Sequence, residues 1–212
     1  PEGVRIKHRV GQNSVELYDK QGSILRVETT INNPSGMKVF RPSQGKITAY
    51  SWRPMRKGVA DLYRRTQCSQ SSNERYLDAL ASVNTSVPIG DLVKDLCHPA
   101  FLNQKRVRAL RPWSPDEKRL FHAVSRGEFA VNGFRNRDIQ HLLYDSPCDS
   151  PEEKRRRSAR VSRLFRMLRA HGLIKKVHAT HRYLLTTRGS DIIRAILATQ
   201  RATLQQLQTL AA

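Results

Sequence analysis

The stretch Ser150–Gly172, SPEEKRRRSARVSRLFRMLRAHG, decides how the second half of this chain is read. Ser150 supplies a hydroxyl to cap a helix. Pro151 costs nothing at the first helical position, where its missing N–H has no partner to lose, and the carboxylates of Glu152 and Glu153 suit the positive end of the helix dipole. At 100° per residue Val161, Leu164, Phe165 and Leu168 share one face, which must be buried. Arg155, Arg156, Ala159, Ser162, Arg163 and Arg166 lie opposite. From Lys154 to Arg169 there are eight basic residues and no acidic one. Gly172 is placed to end the helix near His171 in a left-handed conformation.

A merely solvated helix usually mixes charge signs to gain pairs one turn apart. This one accepts self-repulsion over four turns. A single-signed arginine face opposite a core face suits a polyanion: arginine forks grip phosphates and guanine edges, and the small Ala159 and Ser162 let the backbone approach them. The plainer reading is a solvated basic face, and RNA or an acidic protein would meet the same charge.

Working outward, each flank carries a local signal. Ser114-Pro115-Asp116-Glu117 repeats the cap, proline and acids, and opens a helix with Leu120, Phe121 and Val124 inward. Phe129-Ala130-Val131 reads as a short strand, and Asn136–Tyr144 as a helix with Ile139, Leu142 and Leu143 inward. Beyond Gly172, Leu173–His178 and Arg182–Thr186 read as strands joined by a tight turn at Ala179-Thr180. A last amphipathic helix with Ile192, Ile193, Ile196 and Leu197 follows Gly189.

With Gly172-Leu173-Ile174-Lys175-Lys176-Val177, Tyr183-Leu184-Leu185-Thr186 and Gly189, the region resembles winged-helix proteins of the MarR-like type over about the last hundred residues. The resemblance implies binding of double-stranded DNA, with the helix Ser150–His171 in the major groove. It implies wing contacts from Lys175, Lys176, His178, His181 and Arg182. Such regulators often begin with a dimerising helix; here a basic linker, with Lys105, Arg106, Arg108 and Arg111, takes that place, and Asp191–Leu210 offers an apolar stripe for a homodimer instead.

The first half is equally basic. Pro1–Pro112 holds 19 basic and 9 acidic residues, so no single tail explains the net charge of +20 and the pI near 10.8. Gly3–Val10, Ser14–Asp19 and Ile24–Ile31 read as a strand meander with Val15, Leu17, Leu25 and Val27 on its apolar face. Residues 37–56, punctuated by Pro42, Gly45 and Pro54, read as irregular. Helices are expected over Arg56–Thr66, Asn73–Val83 and Ile89–Leu96. Tyr18-Asp19-Lys20 followed by Arg26-Val27-Glu28 resembles a pair of strands in rolling-circle replication initiators, over fewer than 20 residues. That resemblance implies a metal-binding histidine pair and a nucleophilic tyrosine, and no His-x-His pair is present. Tyr18, Phe40, Tyr50 and Trp52 could stack on bases.

The expected fold class is therefore α+β: a basic N-terminal β-meander with helices (1–104), a basic linker (105–115) and a C-terminal winged helix-turn-helix domain (116–212). The expected function is sequence-selective double-stranded DNA binding, as a regulator or as the targeting part of a plasmid, phage or transposon protein. The alternatives are a nucleic-acid-processing enzyme fragment and an RNA-binding protein. No catalytic set, metal site or cofactor motif is expected. Cys68, Cys97 and Cys148 are too far apart for a zinc ribbon and suit a reducing, cytoplasmic setting. No apolar run reaches membrane length. Pro1 stands where an initiator Met would be, so the chain is expected to belong to a longer protein.

Overall fold

The structure is a computed structural model that describes residues 4–20, 24–43, 46–80, 87–148 and 150–201. It is a mixed α+β fold with small antiparallel sheets, divided into two compact units: Pro1–Ala81 with Gly127–Gly133, and Ser82–Arg126 with Phe134–Ala212.

In the first unit β1 (Arg5–Val10), β2 (Asn13–Lys20) and β3 (Ile24–Thr30) form the expected meander in the order β1-β2-β3. Gly11 makes the first turn possible with a φ of +61°, a conformation that costs other residues dearly. Val15 and Leu17 point into a core with Met37, Met55, Tyr76 and Val131. Leu25, expected on that face, is exposed: it pairs with Asp19, two positions beyond the Leu17–Val27 pair, where the sheet has run past its core.

The stretch read as irregular is a hairpin, β4 (Lys38–Ser43) and β5 (Lys46–Pro54). In a two-stranded sheet both strands are edges, so proline is tolerated: Pro42 sits where the register shifts, and Pro54 ends its strand. The two helices expected around residue 70 are one, α1 (Leu62–Leu80), which runs through the polar segment Gln67 to Ser72. Tertiary contact overrides weak propensity there, because the Thr29 hydroxyl hydrogen-bonds with Ser72 Oγ (2.9 Å) and Asn73 Oδ1 (2.7 Å). Phe129-Ala130-Val131 is not a strand. Gly127–Ala130 is a 3-10 turn that buries Phe129 and Val131 in this unit, and the Arg75 guanidinium donates to the carbonyls of Ala130 (2.8 Å) and Val131 (3.2 Å).

The second unit begins with α2 (Ile89–Lys94) and the hairpin β6 (Ala100–Leu102) and β7 (Lys105–Val107). The expected linker at 105–115 is thus part of a folded unit. Asn103 and Gln104 both have positive φ, as a two-residue hairpin turn demands, but Gln104 stands where glycine would have signalled it. Val107 and Leu110 are buried, and the Leu110 N–H donates to the Leu96 carbonyl at 2.8 Å.

Then come α3 (Pro115–Val124), α4 (Asn136–Leu143), α5 (Pro151–Ala170), the hairpin β8 (Ile174–Lys176) and β9 (Tyr183–Leu185), and α6 (Thr187–Arg201). Both serine caps form as read: Ser114 and Ser150 accept from the N–H groups of Glu117 and Glu153. Helices α3, α4, α5 and α6 enclose a core of Leu120, Phe121, Ile139, Val161, Phe165, Leu168, Leu173, Ile193 and Ile196. Each such side chain contributes ~1.5–3 kcal/mol on burial.

Candidate nucleic-acid interface

Helix α5 is oriented by its apolar face and pinned by polar contacts. Val161, Phe165, Met167 and Leu168 are buried, while Leu164, expected among them, is half-buried and Met167 takes a place the period did not assign. Asn136, at the start of α4, donates to the Ser158 carbonyl and to Ser162 Oγ, both at 2.9 Å. Ser162 is therefore exposed but also part of the crossing between the two helices. Arg157 is used internally: Glu153 holds its Nε at 2.8 Å, it donates to the Ser146 carbonyl at 2.7 Å, and it lies 4.7 Å from the Tyr144 ring centroid. The bond to Arg157, then the charges of Arg156 and Arg157, hold the Glu153 carboxyl below its ordinary range.

What remains outward is the expected stripe. Arg155, Arg156, Ala159, Ser162, Arg163 and Arg166 are all exposed. Arg156 is tied to Glu153 at 2.9 Å and Arg160 to Asp116 at 3.4 Å. Arg155, Arg163 and Arg166 take no ion pair among the described residues. Spaced by eight and three positions, they run along one side of the helix for about 16 Å. Lys154, Arg155, Ser158, Ala159 and Ser162 also line a shallow concavity with Gln140 and Pro151.

The end of α5 is built to reverse the chain. The Leu173 N–H bonds the Leu168 carbonyl (2.9 Å) and the Gly172 N–H that of Arg169 (3.1 Å), with Gly172 at φ +70°. This is the six-to-one and five-to-two pairing of a glycine-terminated helix. The chain then enters β8–β9, which is shorter than expected, and Ala179 turns it at φ +54°. Lys175, Lys176, His178 and His181 are exposed on this hairpin.

Arg182 differs from those four. It is half-buried, and burial first, then the charge of Arg135, pushes its guanidinium down to about 10. A bridge holds the two segments together here, in which Phe134 and Tyr183 exchange two backbone hydrogen bonds of 2.9 Å. That pairing sets Arg135 opposite Arg182 at the start of α4, with exposed Arg137 close by and Asp138 among them, bonded to the Arg135 N–H (2.7 Å) and 3.6 Å from Arg137 Nε. The sequence reading missed Arg135 and Arg137. Their signal is two arginines at a helix start, but their partner is nearly 50 positions away.

The expected linker arginines divide. Lys105 and Arg106 are exposed on β7. Arg108 pairs with the buried Glu117 at 2.7 Å, and Glu117 also accepts from the Arg111 N–H at 2.6 Å. Arg108 is thus engaged in holding the start of α3, and its carbonyl hydrogen-bonds with His171 at the end of α5 (3.0 Å). On α6, Ile192, Ile193, Ile196 and Leu197 are buried within the unit; the rest of the stripe expected to pair two copies, after residue 201, lies outside the described residues.

In the first unit Tyr18 pairs with Arg26, and burial, then a hydrogen bond with Glu28, raises its phenol above the ordinary range. Among the described residues no group of three or more His, Cys, Asp or Glu side chains could hold a metal ion, and no helix is long and apolar enough to cross a membrane. Comparison with protein-family models, with curated proteins and with solved structures finds no match to this chain.

Proposed function

We propose that the second unit binds double-stranded DNA in the manner of a winged helix, with α5 in the major groove and β8–β9 as the wing. The observation that carries this reading is the stripe Arg155, Ala159, Arg163 and Arg166: open, single-signed, and set directly behind the buried Val161, Phe165 and Leu168. A rigid back and an open cationic front are what a groove-reading helix needs, since the groove is about 12 Å wide and edged by phosphates. Lys175, Lys176, His178 and His181 would meet backbone on one side, and Arg135, Arg137 and Arg182 would add positive charge beside the start of α4. In this reading the protein is a cytoplasmic DNA-targeting module.

The test is binding of the whole chain to a duplex library across a salt series. A truncated piece starting at Pro112 is a poor substitute, because it lacks Val107, Leu110 and the Arg108–Glu117 pair. The reading expects log K to fall with log salt at a slope of about −4 or steeper, given roughly 0.9 per neutralised phosphate. It also expects the Arg163→Ala protein to lose selectivity between sequences. A slope near −1, or unchanged selectivity, refutes it.

A further inference from the structure

The β4–β5 hairpin of the first unit presents aromatic rings to solvent. Its register pairs Phe40 with Trp52 and Pro42 with Tyr50, so all four stand on one face. The Phe40 ring lies 5.6 Å from that of Tyr50 and 5.5 Å from that of Trp52, centroid to centroid. Yet Phe40 is 54% exposed, Tyr50 57% and Trp52 39%. The opposite face explains why the rings are not needed for the core: Met37 and Met55, one step beyond the paired ends of the strands, are the residues that go inward.

Charge accompanies the rings. Lys38 alternates onto the ring face with Phe40 and Trp52, whereas Arg41 and Arg53 alternate onto the opposite face and Arg56 is paired with Asp61 at 2.8 Å. Helix α1 adds Arg64, whose guanidinium lies 5.6 Å from the Trp52 ring centroid and donates to the Lys38 carbonyl at 3.1 Å. Adjacent exposed rings with Lys38 and Arg64 beside them match two properties of one ligand class: flat bases free to stack, and a phosphate at every step. A duplex has its bases already stacked, and an acidic peptide does not carry a flat ring at every step.

We infer that this hairpin is a stacking platform for single-stranded DNA, with Phe40, Tyr50 and Trp52 taking bases and Lys38 and Arg64 beside them taking the backbone. Stacking and phosphate neutralisation require no 2′-hydroxyl, so deoxyribose strands satisfy the surface fully. Tyr18, grouped with these rings by the sequence reading, stands on the other sheet beside Arg26 and is not part of the platform.

The chain has two tryptophans, Trp52 and Trp113. In the full chain carrying Trp113→Phe, emission therefore reports on Trp52 alone. Titration with oligo(dT) of about twelve nucleotides, within the range of one binding platform, is expected to quench that emission, and a blunt duplex of equal length is not. Phe40→Leu keeps apolar bulk but loses the ring, and Tyr50→Ala removes one outright. Each is expected to weaken oligo(dT) about tenfold and to leave duplex affinity as it was. In the Arg163→Ala protein, duplex binding falls while quenching by oligo(dT) persists, which separates this inference from the reading of α5. Unchanged emission with oligo(dT), equal quenching by duplex, tenfold tighter binding of oligo(U), or full affinity in the Phe40→Leu protein would each overturn it.

Discussion

Helix α5 and the β4–β5 hairpin are both basic and both exposed, but they differ in what backs the charge. On α5 each open arginine stands behind a buried apolar residue of the same helix, so its position is fixed by the core. On the hairpin Lys38 and Arg64 stand beside rings that the core does not use. The first arrangement suits a rigid, regular ligand that must be met in register. The second suits a flexible one that can lay its bases down one at a time. Net charge alone, nearly equal in the two halves of the chain, does not distinguish them.

The contrast makes stability and binding separable by mutation. The largest effect is expected at Gly189, where an added Cβ would fall 2.0 Å from the Leu173 carbonyl oxygen. The Thr186 hydroxyl accepts from the Gly189 N–H at 2.9 Å and bonds the Gly172 carbonyl at 2.7 Å, so this corner has no slack. Gly189→Ala should cost about 3 kcal/mol in denaturant unfolding, the upper end of what overpacking costs. Oligo(dT) quenching of Trp52 should outlast duplex binding in that protein, since the hairpin belongs to the other unit.

Next in size is the split between two arginines of one helix. Arg163→Ala should lose ~1–3 kcal/mol of duplex affinity with no change in unfolding. Arg157→Ala, which removes the bonds to Glu153 and Ser146 and the packing on Tyr144, should instead cost ~1 kcal/mol of stability and leave sequence selectivity alone. Equal behaviour of the two in both assays would erase the distinction between open and engaged arginines. Glu117→Gln should cost ~1–2 kcal/mol of stability, as the Arg111 N–H and the Arg108 guanidinium lose a carboxylate. Duplex selectivity should persist at concentrations where the protein is folded.

The smallest effect concerns acid. The bond from the Arg56 side chain, then that from its backbone N–H, lowers Asp61 from 3.8 to about 2. A carboxylate with a lower folded than unfolded value stabilises above the unfolded value and loses that contribution as pH falls through the folded one. Stability of the first unit should therefore be insensitive to this pair above about pH 4 and decline from there toward pH 2. Asp61→Asn should flatten that slope in an acid titration followed by Trp52 emission.

How much of this was legible in the sequence depended on how far apart the cooperating residues lie. Helix α5 could be read because its caps, period and terminating glycine fall within 23 residues, and every arginine assigned to its open face is exposed. The Thr186–Gly189 phrase was visible, but its reason, the carbonyl of Leu173 lying where a Cβ would go, exists only once the chain has reversed. The β4–β5 hairpin was hidden by Pro42 and Pro54, which argue against strands in general but not against edge strands. Residues 105–115 read as a linker because Lys105, Arg106, Arg108 and Arg111 run up to Pro112 and Pro115; the partner of Arg108 and Arg111, Glu117, is buried, which charge counting does not reveal. Arg135 and Arg137 were missed because a bridge between Phe134 and Tyr183, invisible to any local pattern, brings Arg182 to them.

The most direct measurement of the central claim is duplex binding by the full chain across a salt series, beside a chain carrying Arg155→Ala, Arg163→Ala and Arg166→Ala together. If α5 reads the groove, the substituted chain unfolds at the same denaturant concentration. Its selectivity between duplex sequences disappears, and its salt slope becomes shallower by about one unit for each phosphate that is no longer neutralised. If the substituted chain keeps both its selectivity and its slope, the open face of α5 is only solvated, and duplex recognition does not reside there.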